Sequence, residues 1–415
     1  MVGYRRMDRT MLNEARHNYL ASQTQNSDHP PFGTRWDHLR REMATAIGGF
    51  ASAADAISYG QFRCGFDHRG AVTEADVPKM KIAQHLLRGF YPQFREHVPQ
   101  FSETSATTPG TAIEFQSDYG PRVFASNILY FHAFYVLTIA SFKNDVESIC
   151  EIGGGYGNPA LLWFTNPIKH VRRYAIVDLP ESLFFAEMFL RTALPDVPLR
   201  YASPEQPVSH APGIVLVPIH LSHQTDAVPF DVVVNTGSMA EMADDWVEYW
   251  RAWVDRQSAD MFYSHNMIGN PVDRLQESRA TMAPTVGNDW YPAYVNAMHP
   301  MARLHGDGHA MAEIIFRRDA GAQPSDPGAM FDFLKDRRMS LENYIHLLYA
   351  LCRNIERNNP HVVPFAKKAI SDLGYAPVEL LYLLDRCDRD SGALALREDL
   401  RRRHLASYPQ GAYSE

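Results

Sequence analysis

The residues of this chain best suited to chemistry fall at the ends of predicted strands. A buried run, Val146 to Ile152, carries Glu151 near its end and is followed by Gly153-Gly154-Gly155-Tyr156-Gly157-Asn158-Pro159. Glycines at 153, 155 and 157 let the backbone turn tightly and approach a ligand, because without a Cβ they tolerate positive φ. Asn158 reads as the N-cap and Pro159 as the first residue of a helix running to Phe164. A dinucleotide turn, G-x-G-x-x-G, would need glycine at 158, where Asn stands. The next strand, Tyr174 to Asp178, ends on a carboxylate followed by Leu179-Pro180-Glu181. At the tip of the second strand of an open α/β sheet, such a carboxylate can accept hydrogen bonds from both hydroxyls of a ribose. The competing reading makes Asp178 a cap for the helix that begins near Pro180.

Three further strand ends carry polar groups. Gly213–Ile219 leads into His220-Leu221-Ser222-His223-Gln224. Phe230–Thr236 ends in Asn235 and Thr236 and leads into Gly237-Ser238-Met239-Ala240-Glu241-Met242. Met261–His265 ends in Tyr263-Ser264-His265-Asn266. An imidazole with an ordinary pKa of about 6.5 can accept a proton at neutral pH, and strand-end placement makes His265 the first candidate base. Glu241 and His223 are the other candidates. Each has a competing reading: a core histidine satisfied by backbone groups for His265, a solvated loop residue for His223, and for Glu241 a capping box with Ser238.

Glu-Ile-Gly-Gly-Gly-Tyr-Gly at 151–157, Ile-Val-Asp-Leu-Pro-Glu at 176–181 and Val-Asn-Thr-Gly-Ser-Met-Ala-Glu-Met at 234–242, in this order, resemble the sugar O-methyltransferases of bacteria. The likeness spans residues 110–318 and departs from that pattern at Asn158, Pro159 and Gly237. It implies an α/β, Rossmann-like doubly wound sheet of the class I methyltransferase type, with an antiparallel edge hairpin. It also implies S-adenosyl-L-methionine (SAM) as cofactor, S-adenosylhomocysteine as product, and a small hydroxylated acceptor such as a sugar. On this likeness Glu151, Gly153, Gly155, Tyr156, Gly157, Asp178, Leu179, Asn235 and Thr236 serve the cofactor, with His220 and Leu221 beside its adenine. Ser238, Trp290, Tyr291 and Tyr130 fall to the acceptor. SAM brings an activated methyl group, so the protein must position an acceptor, exclude water and take up a proton. Methylation at nitrogen, carbon or a carboxylate, and a non-catalytic SAM-binding partner protein, are the alternatives.

The elements that must hold these residues fall into three regions. Residues 1–145 show helical patterns and are expected to cap the crevice and to contribute to a homodimer. Residues 146–318 alternate strand and helix, as a parallel sheet requires. They close with a predicted hairpin of Ala302–His305 and Met311–Arg317 around Gly306-Asp307-Gly308. The connection from Met267 to Pro300, with Trp290 and Tyr291, reads as an acceptor lid or as edge packing. Met242, Trp246, Tyr249, Trp250 and Trp253 recur at helical spacing, the pattern of a core stripe. Residues 319–415 form a helical region in which Ala376 to Arg402 is similar to a single tetratricopeptide-like helix pair.

Composition narrows the class. The chain has 415 residues, 45% of them hydrophobic, and carries 40 basic against 48 acidic side chains for a net charge of −8. That balance points away from a nucleic-acid acceptor, whose phosphates call for a basic face. Cys64, Cys150, Cys352 and Cys387 have neither zinc-ligand nor disulfide-framework spacing, and no metal is expected. Ser126 to Phe142 lacks charge but is short and interrupted by polar residues, so a buried helix is expected there and no membrane span. The first residues lack the apolar run of a secretory signal, and the expected setting is cytoplasmic.

Overall fold

Four largely apolar runs become the centre of a parallel sheet, and each is buried along its length except for Asp178 at the tip of one. The structure is a computed structural model. It describes residues 2–23, 34–64, 74–97, 113–117, 120–124, 129–165, 168–239, 242, 244–267, 290–296, 311–318, 361–373, 380, 384 and 391–407. The chain forms two units, Met1–Asn235 with Gln257–Ala259, and Thr236–Arg256 with Asp260–Glu415.

In the first unit the strands are β3 (Ser148–Ile152), β4 (Arg173–Asp178), β5 (Leu199–Tyr201), β6 (Gly213–Pro218) and β7 (Val232–Thr236, of which Val232–Asn235 lie in this unit). Their order is β5-β6-β4-β3-β7, all parallel. The chain leaves β3 towards β4 and later returns to its other side with β7, so the direction of winding reverses at β3. Ligands of open α/β sheets bind outside the carboxyl ends of the strands at such a switch point. Ile152 pairs with Val177 on one side and Asn235 on the other, which brings three predicted strand ends level. Helices α6 (Asn158–Thr165) and α7 (Pro180–Ala193) make the crossovers. Pro180 opens α7, with Glu181 in its first turn and Arg191 in its last, as helix ends favour.

The amino-terminal region packs against α7. Helices α1 (Val2–Ser22), α2 (Thr34–Gly49) and α3 (Ala53–Arg63) contact it, and α4 (Val77–Phe90) lies on α5 (Leu129–Phe142). Phe50 stacks at 6.5 Å on Phe184 and meets Phe185 edge-on at 6.1 Å. Arg40 pairs with Glu181 at 3.2 Å, and Asn18 donates to the buried Glu187 at 2.9 Å. Residues 132–140 of α5 are all buried.

The helical patterns expected over residues 1–145 leave out one strand pair that the structure contains. Strands β1 (Ile113–Ser117) and β2 (Gly120–Phe124) form an antiparallel pair, with Ile113 opposite Phe124. Gly120 and Pro121 open a strand there. The three-residue β5 also escaped sequence reading, since so short a run has no detectable period.

The second unit contains α8 (Asp244–Arg256), β8 (Met261–Met267), β9 (Trp290–Asn296) and β10 (Met311–Arg318). Strand β10 is antiparallel to both β8 and β9 and lies between them. The antiparallel late strand is thus present and pairs with β9; the other half of the expected hairpin, Ala302–His305, lies outside the described residues. Trp246, Trp250 and Trp253 are buried, as a core stripe requires. Helices α9 (Val362–Leu373) and α10 (Ser391–Ser407) contact each other farther along. Among the described residues, no helix is long and apolar enough to cross a membrane. With its parallel β-α-β first unit and antiparallel final strands, the fold is α/β and Rossmann-like.

Candidate active site

The turn after β3 has the backbone its sequence requires, with Gly153, Gly155 and Gly157 at φ of 70°, 55° and 89°. At Gly155 two constraints meet. Its φ is left-handed, and a Cβ built there would lie 2.2 Å from the carbonyl oxygen of Cys64. That contact is with backbone, which cannot swing aside, so a side chain at 155 is excluded. At Gly154 a Cβ would sit 2.7 Å from Oε2 of Glu151 and 2.8 Å from Cγ2 of Ile176, so a side chain there would have to displace one of them.

Asp178 ties the two strand tips together. Its Oδ2 accepts from the Gly155 amide at 2.9 Å and its Oδ1 from the Leu179 amide at 2.7 Å. Asp178 does not cap α7, whose N-cap is Leu179 with no side-chain cap bond; its carboxylate is held against the glycine turn instead. Burial pushes its carboxyl up to about 6, against the hydrogen bonds that favour the charged form. The end of α3 reaches the same place. Cys64 is raised in pKa first by burial and then by the nearby Asp178.

Glu151 does not face solvent at all; it is 0% exposed and lies beneath the turn. Tyr174 donates to its Oε2 at 2.8 Å, whereas Oε1 has no hydrogen-bond partner among the described residues. Burial pushes this carboxyl up to about 8, with the Tyr174 bond opposing the shift. Behind Tyr174 stands Tyr135 at 3.2 Å between hydroxyls, and the Trp163 indole N–H donates to Tyr135 at 2.9 Å.

Asn158 departs from its predicted part. It is the first residue of α6, buried, and its Nδ2 lies 3.0 Å from Nδ1 of His132 while its Oδ1 has no partner among the described residues. Its side chain links α6 to α5 and does not cap the helix. Burial lowers the pKa of His132 to about 3, so the ring is neutral. Tyr156 is likewise turned inward, edge-on to Phe189 at 4.9 Å. Asn235 is buried and donates from Nδ2 to the carbonyl of Ile152 at 2.8 Å, clamping β7 to the strand that feeds the turn. His220 and Leu221 are half-buried in a 3-10 helix, Ile219–Thr225, and His223 there is exposed.

In the second unit Thr236 is buried and Ser238 half-buried. Helix α8 begins at Asp244, so Ser238 is not its N-cap, and Glu241 lies outside the described residues. His265 is 0% exposed in β8, and its carbonyl accepts from the Gly237 amide at 2.7 Å. Directly across the ladder from His265 stands Glu313, also buried. Facing residues of an antiparallel pair share one side of the sheet. Tyr263, two residues from His265 and on the same side, donates to Glu313 Oε1 at 2.9 Å. Sequence reading missed Glu313, although a lone carboxylate within Ala312–Phe316 was a visible signal. Trp290 opens β9 and is buried, with the Arg318 guanidinium 4.5 Å from its ring centre. The side chains of Tyr291 and Tyr130 lie outside the described residues. Among the described residues no group of three or more metal-ligating side chains is found.

No protein-family model matches the chain, and no curated protein does. Among solved structures, it is similar to an rRNA methylase from Escherichia coli, at 10% identity over 74% of this chain and 100% of that one, with a TM-score of 0.30. It is similar to MtNAS in complex with MTA and tNA, at 12% identity over 70% of this chain and 100% of that one, TM-score 0.32. A third structure concerns conversion of a disulfide bond into a thioacetal group during echinomycin biosynthesis, at 15% identity over 49% of this chain and 88% of that one, TM-score 0.28. Likeness at this level bears on neither activity nor acceptor. The resemblance to sugar O-methyltransferases accordingly rests on the three sequence motifs.

Proposed function

We propose that the chain is a SAM-dependent O-methyltransferase acting on a hydroxyl of a small acceptor, a sugar or a glycosylated metabolite. The observation that carries the reading is the left-handed glycine turn at the switch point of the sheet, bound by its Gly155 amide to the carboxylate at the tip of the next strand. The residues present fit the cofactor: a turn that excludes a side chain at 155, a carboxylate at a strand tip, and a buried carboxyl with one oxygen unpartnered among the described residues. Gly153, Gly155 and Gly157 with Asp178 and Leu179 are assigned to hold it, with Glu151 beneath. Tyr156 and Asn235 act at one remove, by packing and by fixing Ile152.

When bound, SAM supplies an electrophilic methyl group, and the protein's task is placement and proton removal. We assign the proton to His265, with Glu241 and His223 as the other candidates, and the acceptor to Ser238, Tyr130, Trp290 and Tyr291. The Cys64 carbonyl over Gly155 supports a roof built from the amino-terminal helices, which would keep water from the turn. A net charge of −8 favours a small acceptor over nucleic acid. A homodimer in a cytoplasmic setting completes the proposal, and light scattering decides the dimer.

Turnover is the test. Purified protein is incubated with SAM and a panel of hydroxylated acceptors, and S-adenosylhomocysteine is quantified. Release above the no-acceptor background is expected with at least one glycoside. Binding of S-adenosylhomocysteine without turnover on any acceptor would leave a non-catalytic SAM-binding protein, and methylation of amines alone would overturn the O-methyl assignment.

A further inference from the structure

A carboxyl buried without a full set of partners needs a reason, because an unmade hydrogen bond in the interior is costly. Glu151 is 0% exposed, its Oε2 is held by Tyr174 at 2.8 Å, and its Oε1 has no partner among the described residues. The direction of the bonds behind it is fixed. Tyr174 spends its only hydroxyl proton on Glu151, so Tyr135 must donate to Tyr174, and Trp163, a donor only, supplies Tyr135. Four residues from β3, β4, α5 and α6 thus form a one-way chain of donors ending on a single carboxyl oxygen. The other oxygen, Oε1, is buried on the same carboxyl group, whose Oε2 and Cδ lie closest to Gly154 of the turn.

We propose that Tyr174, backed by Tyr135 and Trp163, is a positioning residue that holds Oε2 of Glu151 and reserves Oε1 for a cationic donor brought by the ligand. Glu151 keeps its proton while the site is empty and gives it up to solvent when the ligand's ammonium group binds. This deepens the SAM reading and rests on it.

The surroundings favour that exchange. Burial pushes Glu151 up to about 8, so the empty site holds a neutral carboxyl at pH 7. The titratable groups that bear on it are Tyr174 and Asp178 of β4, Tyr135 of α5 and the neighbouring Cys150 of β3, every one an acid. Among these groups none supplies the positive charge that would ionise Glu151. A ligand cation would lower its pKa, and binding in the interval between the two values must then release a proton.

Calorimetry with S-adenosylhomocysteine, in buffers of different ionisation enthalpy, reads that proton directly on the wild-type chain. Near pH 7 the expected release approaches about one proton per ligand, and affinity should rise by up to about tenfold per pH unit before levelling above about pH 8. 5′-Methylthioadenosine, which lacks the ammonium group, should bind without that pH dependence. Tyr174→Phe should move the rise to higher pH, because the bond that favours the ionised carboxyl is gone. A merely structural Tyr174 would lower affinity equally at every pH. Glu151→Gln should bind with no proton exchange. Wild-type binding without proton release, or a Tyr174→Phe curve that stays in place, overturns the inference alone. Failure of the wild type to bind S-adenosylhomocysteine at any pH overturns the SAM reading itself.

Discussion

The amide of Gly155 and the carboxylate of Asp178 are joined at 2.9 Å across two adjoining parallel strands. The bond makes the shape of the glycine turn depend on the second strand, so a change at 178 acts both on the ligand surface and on the turn.

Asp178→Ala should therefore weaken S-adenosylhomocysteine binding by about 1–3 kcal/mol, the cost of a charge-assisted hydrogen bond. Calorimetry on a variant shown to be folded by circular dichroism checks this. Unchanged affinity would remove Asp178 from the cofactor site.

Gly155→Ala should be costly whether or not ligand is present. It places a side chain at φ of 55° and sets a Cβ 2.2 Å from the Cys64 carbonyl. Left-handed backbone alone costs about 1–2 kcal/mol for a residue with a Cβ, and the clash adds to it. Thermal unfolding of the apo protein should show a clearly lowered midpoint, and Gly48→Ala, with nothing within 4 Å of the new Cβ, is the control.

Glu151 makes apo stability depend on pH in a defined sense. Its folded value of about 8 lies above the ordinary 4.5, so the folded state holds a proton that the unfolded state releases. Stability is then fully present below about pH 4.5 and declines as pH rises through about 8. Asp178, raised from 3.8 to about 6, adds a decline of the same sign at lower pH. Glu151→Gln keeps the shape without the titration. Its stability relative to wild type should improve by about 2 kcal/mol or more between pH 5 and 9, as denaturant titrations would reveal. A constant difference across that range would show that Glu151 is ionised in the folded chain.

His265→Ala should reduce turnover by about 10²–10⁴-fold with little effect on SAM affinity, if His265 removes the acceptor proton. Glu313, facing it across the ladder, should matter through orientation. Glu313→Gln is expected to shift the pH–rate profile and not merely scale it. Near-full activity of His265→Ala at every pH would pass the assignment to Glu241 or His223.

The strands at 148–152, 173–178, 213–218 and 232–236 were legible because each is a short apolar run ending in turn chemistry, and Gly153 to Gly157 announced its own backbone. The direction of side chains was not. Glu151 and Asp178 look equivalent in sequence, as acidic residues at neighbouring strand ends, yet one lies under the turn and the other against it. A period-2 strand fixes which face a residue takes but not what closes over it. Asn158 looked like a cap because its neighbours suit one, and its contact with His132 could not be inferred from residues 26 positions apart. The β1–β2 pair and Glu313 depend on partners that local pattern does not name.

The packing of the amino-terminal helices on α7 has a consequence for synthesis. Asn18 waits for Glu187 across 169 positions and Arg40 for Glu181 across 141. At about 5–20 residues per second, the apolar faces of α1 to α3 emerge on the order of ten seconds before the helix they cover exists. Through that interval Leu12, Tyr19, Ile47 and Ile57, all buried in the finished fold, are open to holding factors at the ribosome exit. Slowing translation between residues 64 and 180 should lengthen that exposure and lower soluble yield, without changing a single amino acid.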